Sequence, residues 1–226
     1  MTTEKELNGI FERVSKRFDY RNTTATFKPF RDLKVKWTRA YNLADFYVSD
    51  YLKWAPTEVV ESIAETIFGK IAGEEGTGYS ENTIAWLTSP EFYERAQPMY
   101  LARDRRIGNE EGNAKGLWKS VDRLKRMGLI YKVPEGLKII WSNPGMDREA
   151  ARSSLLMRVI VINEILDSEE VPDAALDLCL LKQLIHVTSD FGKIPMIDTD
   201  EMDRRILAFP NSEEILEWFR DHDIEF

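Results

Sequence analysis

Apolar residues recur along this chain with helical spacing in three places. Leu7, Ile10, Phe11, Val14 and Phe18 form one stripe over residues 5–18, the i, i+3, i+4 pattern of an amphipathic helix. Residues 57–71 give the clearest case, with Val59, Val60, Ile63, Ala64, Ile67, Phe68 and Ile71 on one face and Glu58, Glu61, Glu65 and Lys70 on the other. Over 173–187, Leu176, Leu178, Leu180, Leu181, Leu184 and Ile185 leave little of the circumference polar, which predicts a helix buried on most sides. Pro56 and Pro172 stand just before the last two helices and fit a first turn, where a missing N–H costs nothing. Residues 33–37 and 44–52 are rich in β-branched and aromatic side chains with partial alternation and predict strands. The Gly73–Gly78 segment reads as a flexible loop, and residues 104–116 as the link between two halves.

Two halves are expected because three short segments are echoed in the same order. Gly9-Ile-Phe-Glu-Arg-Val14 is matched by Gly116-Leu-Trp-Lys-Ser-Val121, and Leu33-Lys-Val-Lys-Trp-Thr38 by Leu137-Lys-Ile-Ile-Trp-Ser142. Val48-Ser-Asp-Tyr-Leu52 with Pro56 is matched by Ile162-Asn-Glu-Ile-Leu166 with Pro172. The reading is an α+β protein of two similar halves from an internal duplication, residues 1–107 and 108–226. Each half runs helix, strand, strand, helix and a further helical segment.

A strand ending Val48-Ser-x-x-Leu52, then Ala55-Pro56 and an apolar helix, resembles the SprT-like and related zincin metallopeptidases. In that family the helix carries His-Glu-x-x-His: histidines at i and i+4 reach one Zn²⁺ and the glutamate between them is the general base. Counted from the proline, the resemblance puts those positions at Thr66, Ile67 and Lys70 in the first half and at Lys182, Gln183 and His186 in the second. A protonated lysine offers no lone pair, glutamine is a poor base, and the whole chain has two histidines, whereas a zinc enzyme needs about three protein ligands and an open position. The resemblance therefore implies two zincin-like halves that have both lost the hydrolytic motif. The protein is expected to bind a protein or peptide, or to scaffold, in the cleft beside helices 57–71 and 173–187, with no cofactor and no metal.

His186 reads either as a relic ligand or as a satisfied structural residue. Cys179 lies two turns before it, about 10.5 Å along an ideal helix axis, too far for a thiolate–imidazole dyad, and reads as a small core residue. Unfamiliar chemistry around Lys182 and His186 would require a concave pocket with a perturbed lysine there. Gly-rich phosphate loops, dinucleotide fingerprints and a nucleophile elbow are missing from the sequence. Asp198-Thr-Asp-Glu-Met-Asp203 starts like a calcium loop, but lacks the glycine and the closing glutamate and reads as an acidic helix start.

Charge adds one competing reading. The chain has 31 basic and 39 acidic residues, a net −8, which opposes general binding to nucleic acid or anionic membrane. The basic residues are concentrated early, where Arg13, Lys16, Arg17, Arg21, Lys28 and Arg31 alternate with Phe18, Tyr20, Phe27 and Phe30, a composition suited to phosphates and stacked bases. Leu117–Ile140 resembles a winged-helix recognition helix and wing, with Ser120, Arg123 and Lys125 or Arg126 facing a groove. One cysteine, a charged leading segment and no run of about 20 apolar residues point to a reducing, cytoplasmic setting with no membrane partner.

Overall fold

The computed structural model describes residues 1–145, 148–192 and 199–226. They form two compact units, Met1–Arg103 and Asp104–Phe226, and the fold is α+β. In the first unit, α1 (Glu4–Ser15) opens on a capping box. The Glu6 N–H donates to Thr3 Oγ1 at 3.2 Å, and the Thr3 N–H donates to the Glu6 carboxylate at 2.7 Å. Leu7, Ile10, Phe11 and Val14 are buried as their spacing predicts. The last turn tightens into a 3-10 turn over Lys16–Phe18.

Three strands follow: β1 (Asn22–Lys28), β2 (Val35–Ala40) and β3 (Leu43–Ser49). They lie in the order β1-β3-β2, with β1 parallel and β2 antiparallel to β3. The hydrophobic pattern does not announce β1, because its inward positions are Thr23, Ala25 and Phe27, only one of them large. After a 3-10 turn over Asp50–Trp54 comes α2 (Thr57–Ala72). Pro56 is its N-cap, one residue before the first turn expected for it. Then follow α3 (Glu81–Leu87) and α4 (Pro90–Arg103). Aromatic rings tie α1 and α2 to one sheet face: Phe46 of β3 lies 5.1 Å from Phe11 and 4.9 Å from Phe68, centroid to centroid. The other face carries Thr24, Thr26, Asp45, Tyr47 and Lys36, paired across the strands in rows and only partly buried or exposed.

The second unit runs through the same elements in the same order. They are α5 (Leu117–Arg126), β4 (Lys138–Trp141), β5 (Ala151–Ser154) and β6 (Val159–Ile162), then a 3-10 turn over Glu164–Leu166, α6 (Asp173–Val187), α7 (Thr199–Leu207) and α8 (Ser212–Asp221). Its sheet has the order β4-β6-β5, again with the first strand parallel and the second antiparallel to the third. Counted back from the 3-10 turns that begin at Asp50 and Glu164, Phe27 opposite Val48 is level with Trp141 opposite Ile162. Ser49 and Asn163, both buried, then occupy the same place at the end of the third strand, and Pro172, like Pro56, is an N-cap.

Two of the three sequence echoes are displaced by this register. Trp37 sits on the second strand opposite Phe46, while Trp141 sits on a first strand, so the Leu33–Thr38 and Leu137–Ser142 segments are not equivalent. Gly9 lies inside α1, whereas Gly116 is the N-cap of α5, so that echo is out of step. Alternation and length match in these segments, but their partner strands differ.

Residues 104–116 are not a free link. Ile107 bridges Ser142, Asp104 pairs with Arg152, and Asp167 accepts the N–H groups of Asn113, Ala114 and Lys115. Gly112 is needed there, since a Cβ would meet Lys115 O at 2.3 Å and Trp141 Nε1 at 2.6 Å. The second unit therefore begins a few residues before the expected boundary at 108. Asp200 and Glu201 open α7, as an acidic helix start should; Asp198 of the same motif lies outside the described residues.

Candidate functional site

The second unit brings its three singled-out α6 residues to the inner side of β5. Ile160 of β6 pairs with Ile139 of β4 and Ser153 of β5, so Ser153 belongs to the row that faces the helices. Its hydroxyl donates to Gln183 Oε1 at 2.7 Å and lies 2.8 Å from His186 Nδ1. A hydroxyl has one proton; with that proton on the amide oxygen, Ser153 accepts from Nδ1–H of the imidazole. This arrangement locks both α6 side chains to the edge strand. It does not activate a serine nucleophile, because the proton points to an amide rather than to a base. Burial pushes the His186 pKa down, so the ring is neutral around pH 7, consistent with a structural tether.

One turn before His186, the side chains of α6 line a cavity of about 160 Å³. Its walls include Lys182 and Gln183 from α6, Glu149 at the approach to β5, and Glu225 and Phe226, which follow α8. Lys182 Nζ stands over the Phe226 ring, 4.5 Å from the centroid. Cys179 also reaches this cavity, but it is 1% exposed and burial pushes its thiol up to about 12. Cys179 is therefore an inert core residue, as its sequence setting suggested. A concave pocket lies beside Lys182, which is one part of what unfamiliar chemistry there would require. Ser153, Glu149, Glu225 and Phe226 had no sequence signal: β5 is a short polar strand, and the five residues 222–226 are too few for a period.

The corresponding place in the first unit is built differently. By register Trp37 takes the position of Ser153 and stacks on Phe46 at 6.3 Å with rings 17° apart. Thr66 Oγ1 is bound to Ser62 O at 2.8 Å and Gly78 O at 3.0 Å, pinning the loop after α2. Lys70 Nζ lies 5.3 Å from the centre of the Tyr79 ring. These two residues serve the α2–α3 connection and do not converge on the edge strand. Among the described residues no group of three His, Cys, Asp or Glu side chains is placed to hold a metal ion.

The early basic residues are largely matched by carboxylates. Arg13 pairs with Glu61 at 3.2 Å, Lys16 with Glu12 at 3.4 Å, and Arg31 with Asp32 at 2.8 Å; Arg17 pairs with Glu65. Lys28 lies over the Tyr47 ring. Arg21 has no carboxylate partner among the described residues. In 117–140, Ser120 is fully buried and donates to Asp177, and Arg123 meets the same carboxylate through Nε and Nη2, each at 2.7 Å. Lys125 and Arg126 are exposed, but residues 132–137 form no hairpin wing, and β4 is an edge strand that pairs in parallel with β6. The groove-facing set expected there is thus split, because half of it holds α5 to α6.

No helix among the described residues is long and apolar enough to cross a membrane. Compared with protein-family models, curated proteins and solved structures, the chain matches none.

Proposed function

We propose that this chain is a non-catalytic, metallopeptidase-like binding module made of two duplicated zincin-like halves, and that it holds a protein or peptide segment in the cleft between α6 and β5. The observation that carries the reading is the shared order of the two units, strand pairing included, together with what stands at the motif positions of α6. Lys182 and Gln183 line a cavity while Gln183 and His186 are tied to Ser153. A lysine, an amide and a tethered neutral imidazole offer hydrogen bonds and a positive charge, which suits recognition of an extended backbone or an acidic side chain. They do not form the three-ligand set with an open position that zinc hydrolysis needs. The nucleic-acid alternative draws less support, since Ser120 and Arg123 are engaged with Asp177 and most of the early basic residues with carboxylates.

Two measurements test the reading. Metal analysis of the purified chain should find no stoichiometric zinc; one tightly bound zinc per chain overturns it. An array of extended peptides should retain the chain, and Lys182→Glu should weaken retention by about tenfold. Retention indifferent to that charge reversal places binding elsewhere.

A further inference from the structure

The cleft beside α6 already holds a peptide segment, and it belongs to the chain itself. α8 ends at Asp221, and the chain leaves it through Asp223, whose φ of 55° is left-handed. This turn lays Ile224–Phe226 alongside Arg148–Ala150, the stretch that enters β5. The Glu225 N–H donates to Arg148 O at 2.8 Å, and the Ala150 N–H donates to Glu225 O at 2.7 Å, a single parallel bridge between Glu149 and Glu225. Arg148 also pairs with Asp223. The Phe226 ring packs 5.0 Å from Phe219 and lies beneath Lys182, roofing the cavity of about 160 Å³. Two backbone hydrogen bonds, the partly buried Ile224 and Phe226 side chains and an exposed ion pair are a small attachment, and segments at the ends of elements open locally at low cost.

We infer that Ile224–Phe226 is an internal occupant of the peptide cleft, and that the cleft, when this segment lifts, accepts an external extended peptide with an aromatic side chain in the place of Phe226. This rests on the peptide-binding reading above and adds its ligand class and its regulation. Strand addition supplies main-chain hydrogen bonds at Arg148 and Ala150, while the Lys182 and Phe219 surroundings select the aromatic ring. An attached segment competes at an effective concentration of about a millimolar, so the intact chain masks the cleft from a micromolar ligand.

The probe is a fluorescein-labelled hexapeptide copying residues 221–226, Asp-His-Asp-Ile-Glu-Phe, followed by anisotropy. Phe226→Ala should bind it at least about tenfold more tightly than the unaltered chain. Glu225→Pro, which removes the N–H given to Arg148, should do the same; it provides the second reading if Phe226→Ala does not fold. Equal binding by the unaltered chain and a folded variant overturns the inference. A peptide from the array that binds the unaltered chain and Phe226→Ala alike, and is lost in Lys182→Glu, also overturns it while leaving the peptide-binding reading intact. No binding of any peptide by any of the three overturns both.

Discussion

The helices after Pro56 and Pro172 start alike and are then used in opposite ways. α2 buries seven of its 16 residues and α6 ten of its 15. The α2 helix keeps a charged side, from which Glu61 reaches Arg13 of α1 and Glu65 reaches Arg17 of the following 3-10 turn at the surface. The α6 helix has no such side beyond its first residue, Asp173: its inner acid, Asp177, is 1% exposed and takes Ser120 and Arg123 from α5. The sheets differ in the same sense. The first has a bare polar face, whereas in the second Ile140, Val159 and Val161, opposite the helix-facing row, are buried too. One topology thus serves two purposes. A helix with water on one side can spend its polar positions on surface ion pairs. A helix buried on most sides must satisfy every polar group it carries, so its few buried polar residues are confined to defined partners, Ser120 and Arg123 for Asp177 and Ser153 for Gln183 and His186.

Substitutions sharpen or break this contrast. The largest effect is expected in the aromatic core of the first unit. Phe68, fully buried, meets Phe11, Phe18, Tyr20 and Phe46, and Phe68→Ala should cost about 4 kcal/mol in urea denaturation. Next is the pair between helices. Asp177→Ala takes the acceptor from the buried Ser120 hydroxyl and one carboxylate from the partly buried Arg123 guanidinium, and should cost about 3 kcal/mol. Glu61→Ala, which breaks the exposed pair with Arg13, should cost less than about 1 kcal/mol. Similar losses at both sites would end the distinction between a surface and an interior helix pair.

Gly112→Ala should cost about 2 kcal/mol by thermal melting, because its Cβ has no room beside Lys115 O and Trp141. A neutral result would mean that the segment before α5 is loose after all. The smallest effects concern pH. Burial lowers the His186 pKa, so the unfolded chain binds a proton that the folded one refuses. Stability should therefore fall as pH drops below the ordinary histidine value of about 6.5, and His186→Gln should flatten that slope. For Asp167, burial raises the pKa but is outweighed by the N–H groups of Asn113, Lys115 and Ala114, for a net lowering. Its contribution is complete above the unfolded carboxylate value of about 4 and is lost as pH falls through the depressed folded value. Asp167→Asn should remove that acid-side loss, read by the pH dependence of the denaturation midpoint.

The amino-acid sequence by itself determined the helices, their faces and the α+β class. Residues 57–71 and 173–187 declare their ends with a proline and their burial with apolar spacing, because the helical period acts within one short stretch of chain. It also determined that Lys182, Gln183 and His186 share a side of α6, since spacing of three and four is one helix turn. Only the tertiary structure decided what that side meets. Thr23-Ala25-Phe27 and Ala151–Ser154 become strands because β3 and β6 supply their hydrogen bonds, and nothing local requires it. Register across strands sets Trp37 opposite Phe46 but Trp141 opposite Ile162, pairings that linear similarity does not carry. The segment Ile224–Phe226 reaches Lys182 only because α8 ends in a left-handed turn beside Arg148. Contacts between residues far apart in the chain carry no periodic mark, so the cleft and its occupant emerge only when the chain is folded.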